Sequence, residues 1–214
     1  MFCPKEKRDG RSRELRGTAR ERLLDAALEE FRERGYAAAS LQSIAARAGL
    51  TKGAVYWSFK GKEDLFLTLV DERLDAPARE LIELVGDAPA EIEAAPRVSR
   101  GVAALVRDQP DLVLLAIEHW ALAMRREQVR ADFKQRQRAL GDAVARTLEA
   151  RHATLGVPLA YSAERLGTAI VALCIGLAME ALAEPEAVPD ELLGDILGLI
   201  YDGLVSRAAG QGSA

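Results

Sequence analysis

The chain has 214 residues, about half of them apolar, which suffices for a substantial core. Its two cysteines, Cys3 and Cys174, lie far apart with no CxxC spacing, so neither a zinc site nor a disulfide framework is implied and a reducing compartment is expected. The net charge of −4 argues against a nucleic-acid binder if taken whole, but residues 1–62 hold 14 Lys/Arg against 8 Asp/Glu while residues 63–214 hold 15 against 25; a basic end can face phosphate while an acidic remainder limits nonspecific contact.

Ala, Leu, Glu and Arg dominate, and these are strong helix formers, so an all-α fold is predicted. Residues 1–17 form a basic arm without apolar periodicity, expected to be disordered. Residues 4–22 are charged where the apolar stretch of a signal peptide would stand, which predicts a cytoplasmic protein. Thr18 with Glu21 makes a capping-box pattern, and Leu24, Ala27, Leu28 and Phe31 place one apolar stripe on the first helix. Gly35 is its expected left-handed end. Ser40 caps a second, short helix from Leu41 to Ala48, Gly49 breaks it, and Thr51 caps a third running to Phe59. A fourth starts near Lys62 with Leu65, Phe66 and Leu69 inward, and Pro77 is expected to end or kink it. Gly86, Pro89 and Pro96 predict loops or broken helix over 76–97. Long helices follow near 97–107, 110–125, 129–155, 162–183 and 190–208, about nine in all, before a disordered tail at 209–214. The longest apolar run, Ile170 to Met179, is too short to span a bilayer, so no membrane partner is expected.

Helix, short glycine turn, helix is the helix-turn-helix pattern. Here Ser40–Ala48 is the supporting helix, Gly49-Leu50 the turn and Thr51–Phe59 the recognition helix. A helix of that length is about 13 Å long, which fits a major groove about 12 Å wide. Its first turn offers free backbone N–H groups to phosphate. Thr51 caps it and can reach a phosphate, Lys52 can donate to guanine or phosphate, and Gly53 lets the backbone approach closely. Tyr56 and Trp57 lie about 100° apart, so both are unsuited to full burial, and each can donate to a phosphate oxygen. Lys60 and Lys62 add charge beside them.

The span Thr18–Phe66 resembles the TetR family of bacterial transcriptional repressors. The resemblance rests on Ala27–Phe31, Gly35-Tyr36, the run S-L-Q-S-I-A-A-R-A-G-L-T-K-G-A-V-Y-W-S-F at Ser40–Phe59, and K-G-K-E-D-L-F at Lys60–Phe66. It implies a three-helix DNA-binding domain (18–62), a helical ligand-binding and dimerisation domain (63–208), and a homodimer on a palindromic operator. By position it also implies that Ser40, Gln42 and Arg47 act from the supporting helix, that Thr51, Lys52, Gly53, Tyr56 and Trp57 act from the recognition helix, and that Lys62 begins the linking helix. Ser40 stands where threonine is commoner, and Ser58 replaces a frequent histidine.

One recognition helix reads only a few base pairs, so specific repression needs two modules about 34–36 Å apart. The last two helices carry the apolar faces for a dimer: Leu166, Ile170, Leu173 and Leu177 on one, and Ile196, Leu197 and Ile200 on the other, where Gly194 and Gly198 permit close contact. A small-molecule cavity is expected among the helices from Arg97 to Met179, with His119, Trp120, Met124, Phe133, Cys174 and Met179 as candidate lining. Glu149 and His152 have the spacing of a di-iron helix, but no second copy exists, since His119 lacks a glutamate three residues before it. No phosphate loop, dinucleotide fingerprint or serine elbow is present, so no metal, cofactor or enzymatic activity is expected. The reading is a ligand-responsive repressor; the alternative is a small-molecule-binding helical protein with a vestigial DNA-reading end.

Overall fold

The computed structural model describes residues 18–86, 94–156 and 159–211; the basic arm at 1–17 lies outside them. Among the described residues every regular element is helical. The helices are α1 (Ala19–Ala38), α2 (Leu41–Arg47), α3 (Lys52–Ser58), α4 (Lys62–Val70), α5 (Ala76–Gly86), α6 (Ala94–Asp108), α7 (Pro110–Arg125), α8 (Glu127–Leu155), α9 (Ala163–Ala183) and α10 (Leu192–Gln211). A π-turn at Asp71–Asp75 joins α4 to α5 without a break. With α4 and α5 counted together as one continuous helical segment of sequence, the described residues hold nine such segments. The chain divides in sequence between Leu69 and Val70 into two compact units.

In the first unit the capping box at Thr18 forms in both directions with Glu21 and starts α1. Gly35 has φ 68° and ψ 164°, a region open essentially to glycine, and breaks the helix before its last residues. Leu23, Leu24 and Ala27 of α1, Ile44 of α2, Val55 of α3 and Leu65, Phe66 and Leu69 of α4 are all fully buried. Phe31, Tyr36 and Phe66 add an aromatic trio with centroids 5.0–5.8 Å apart. The α2–α3 turn is a Schellman motif: the Leu50 N–H donates to the Ala45 carbonyl and the Gly49 N–H to the Ala46 carbonyl, with Gly49 at φ 64°.

The second unit is built around α8, whose contact with α9 is its most extensive. Gly167 makes that contact possible, because a Cβ there would lie 2.1 Å from the Gly141 carbonyl oxygen. The α6–α10 contact is fixed by buried Ser99, which donates to the Asp190 carbonyl at 2.5 Å and accepts from the Gly194 N–H at 3.0 Å.

Three expectations are corrected. Pro77 does not end a helix, and 76–86 is helical. The Ala76 N–H reaches back to the Asp71 carbonyl across the π-turn, which resets the ladder and places Pro77 in the first turn of α5, where a missing N–H costs little. At the other end, α10 runs to Gln211, so the tail assignment at 209–214 began too early. The apolar segment is also longer than the run 170–179: α9 has 21 residues and mean hydropathy 2.0, enough by length and composition to cross a bilayer, and only 17% of its most apolar window is buried.

Candidate nucleic-acid interface and ligand cavity

The recognition segment is anchored from beneath and bare above. Val55 and Phe59 are 0% and 3% exposed and hold α3 to its unit, whereas Tyr56 is 53% and Trp57 91% exposed. An indole left in water costs burial energy of about 1.5–3 kcal/mol that folding alone never recovers. Thr51 caps α3 by accepting from the Ala54 N–H at 3.3 Å. Lys52 and Gly53 follow on the exposed first turn, and the Lys52 ammonium lies 5.7 Å from the Tyr56 ring centroid. Ser40, Gln42 and Lys60 are exposed as well; Ser40 forms a reciprocal cap with Ser43 that starts α2.

Two cations expected at this surface are engaged inside the unit. Lys62 donates to the carbonyls of Tyr36 at 2.6 Å, Ala39 at 2.8 Å and Ala37 at 3.2 Å, and sits 4.5 Å from the Tyr36 ring centroid. It satisfies the orphan acceptors at the end of α1, a task set by helix geometry and not by phosphate. Arg47 pairs with Glu33 at 2.5 Å, Glu29 at 3.1 Å and buried Glu30 at 3.3 Å, which fastens the end of α2 to α1. Hydrogen bonds from Arg47 hold the Glu33 carboxyl below its ordinary range. A residue missed in the sequence, Arg22, donates from its guanidinium to the Ala48 carbonyl beside Gly49 and steadies the turn. Nothing periodic marks a contact spanning so much sequence.

A model of bacterial regulatory proteins of the tetR family matches residues 23–69. The transcriptional regulator SrpR of Pseudomonas putida is 46% identical over 54 residues, 25% of each chain. AcrR of Shigella flexneri, another such regulator, is 51% identical over 47 residues, 22% of each chain. SmeT, the repressor of the Stenotrophomonas maltophilia multidrug efflux pump SmeDEF, is similar across 84% of this chain and 85% of its own, at 25% identity and a TM-score of 0.62. Its complex with triclosan gives 26% identity and 0.63 over 83% and 88%. Over residues 23–69 the chain is similar in sequence to the TetR family, and its fold is similar to that of the repressor SmeT. All three relatives are regulators, not enzymes. The match to the curated TetR-family relatives spans about a quarter of their length.

The second unit holds a cavity of about 1880 Å³. His119, Trp120, Phe133, Cys174 and Met179 line it, as the sequence suggested; Met124 does not, lying one turn beyond Trp120 at the end of α7, past the lining. Both histidines of the chain line it and both are buried. Burial lowers the His119 pKa to about 4, against the opposing pull of Asp132, whose Oδ2 lies 3.8 Å away; Arg136 lowers it further. The His119 ring packs edge-on against Phe133, and His152 lies 5.6 Å from the Tyr201 ring. Burial pushes the Cys174 thiol up to about 11, so it stands as an inert apolar group. On the cavity wall Asp75 accepts from Arg136 at 2.8 Å, and the same guanidinium reaches Asp71 at 3.0 Å and Asp132 at 2.5 Å, tying the π-turn to α8. Burial raises the Asp75 pKa while Arg136 opposes the rise.

Of the residues expected at a dimer face, Leu166, Ile170, Gly194, Leu197, Gly198 and Ile200 line this cavity, while Leu173, Leu177 and Ile196 are half-buried outside its lining. The pattern of apolar periodicity is the same for a cavity wall and an interface, so spacing does not separate the two.

Proposed function

We propose that this chain is a ligand-responsive transcriptional repressor, a homodimer that occupies a palindromic DNA operator and is released when a small molecule enters the cavity of the second unit. The observation that carries the reading is the exposure of Tyr56 and Trp57 beside Lys52 on a helix otherwise pinned by Val55 and Phe59. A folded protein gains nothing internally from that arrangement, whereas a phosphate backbone takes its donors and its charge. The relative SmeT is a repressor and is known bound to triclosan, which supports both halves of the reading. A second copy accounts for the largely unburied α9 and for Leu199, 72% exposed on α10. An effector acts only through unequal affinity for two conformations. Such a repressor works in the cytoplasm.

The test is a mobility-shift titration on fragments selected from the source genome, with Lys52→Ala and Tyr56→Phe alongside. Each variant is expected to weaken operator binding, and Lys52→Ala to flatten the salt dependence by about one slope unit. Undiminished binding by both at every salt concentration refutes the assignment of α3.

A further inference from the structure

We propose that the cavity takes a long, chiefly apolar chain, uncharged where it is buried, laid lengthwise along α8. The proposal rests on the reading of this cavity as the effector site and adds the class of effector. Phe133, Gln137, Leu140, Val144, Thr147 and Arg151 all line the cavity. They recur every three or four residues on one unbroken helix, so they form a single straight row. At 1.5 Å per residue the row is about 27 Å long. The facing wall is as continuous: residues along the whole of α6, from Ala94 to Asp108, line the same space. Pockets for drug-sized ligands measure roughly 300–1,000 Å³, so one compact molecule leaves much of this cavity unfilled, whereas an extended one meets the row along its length.

Two of the charges on the walls, Asp75 and Arg151, are already engaged. Asp75 is held by Arg136, and the Arg151 guanidinium donates to the Val85 carbonyl at 3.1 Å. Ser99 is engaged with Asp190 and Gly194. A charge buried beside these engaged groups would find no partner among them, at a cost of several kcal/mol. Gln137, Thr147 and the two imidazoles at the walls suit hydroxyl or carbonyl groups instead.

The experiment displaces the neutral fluorophore N-phenylnaphthylamine from the full-length protein with hexanol, octanol, decanol and dodecanol. Each added methylene is expected to tighten binding about fourfold, continuing through dodecanol. Val144→Trp, placed mid-row, should weaken dodecanol about tenfold or more while hexanol changes little. Leu105→Trp does the same from α6 and serves if Val144→Trp fails to fold. A series that levels off at octanol, dodecanol binding untouched by both blocks, or tighter binding of dodecanoate than of dodecanol overturns the proposal. A mobility shift on the same preparations keeps the two readings apart: intact operator binding with a flat series removes the chain ligand alone, and lost operator binding removes the repressor while the series still decides the cavity.

Discussion

Gly167→Ala tests the packing of the second unit at its tightest point. An added Cβ would lie 2.1 Å from the Gly141 carbonyl oxygen, 3.0 Å from the Gly141 carbonyl carbon and 3.2 Å from the Ala145 nitrogen. All three obstacles are backbone, so no rotamer change relieves them. The helices must part by about 1 Å, which forfeits a quarter to a half of the dispersion energy at each neighbouring contact. Overpacking of this kind costs about 1–3 kcal/mol, and rigid surroundings place it at the upper end. Alanine's better helix propensity offsets about 1 kcal/mol, leaving about 2 kcal/mol of destabilisation. For a domain of this size that is a fall of roughly 4–8 °C in Tm. The other half of the contact behaves oppositely: a Cβ at Gly141 stands 3.6 Å from its nearest neighbours, an ordinary contact, so Gly141→Ala should leave Tm unchanged or raise it. Thermal unfolding followed by circular dichroism compares the pair. Equal effects from the two substitutions, or a higher Tm for Gly167→Ala, would show that α8 and α9 do not cross at this distance.

Lys62→Met removes three carbonyl contacts at the end of α1 and is expected to cost about 2 kcal/mol in chemical denaturation, while leaving the salt slope of operator binding unchanged, in contrast to Lys52→Ala. A slope reduced by one unit in Lys62→Met would return this lysine to the phosphate-contacting set. His119 gives a pH signature. Its folded pKa of about 4 lies below its unfolded value near 6.5, so the unfolded chain binds the extra proton, and stability falls as pH drops from 6.5 toward 4. The full loss is about 3 kcal/mol, and His119→Asn should remove it. Asp75, raised by burial, acts in the opposite sense, because its stabilisation is present at low pH and fades as pH rises through its folded pKa. The difference between wild type and His119→Asn isolates the histidine, and identical acid slopes in urea titrations between pH 4.5 and 7.5 would contradict its burial as a neutral ring.

Local signals were strong in the first unit because each element there is decided by neighbours in sequence. Thr18 with Glu21, Ser40 with Ser43, Thr51 with Ala54 and the turn at Gly49 are contacts within a few residues, and all of these elements were legible. What misled was reach: Lys62 crosses 26 residues to Tyr36 and Arg47 crosses 14 to Glu33, and a cation drawn as a free surface charge was in fact satisfying a helix end or a carboxylate. The second unit reverses the balance. Its decisive contacts, Gly141 with Gly167, Ser99 with Asp190 and Arg136 with Asp71, join distant helices and leave no periodic mark. Pro77 shows the same limit in reverse, since a local rule for ending helices was overridden by a π-turn that Arg136 clasps from α8. That clasp joins the cavity wall to the segment next to α4 in sequence.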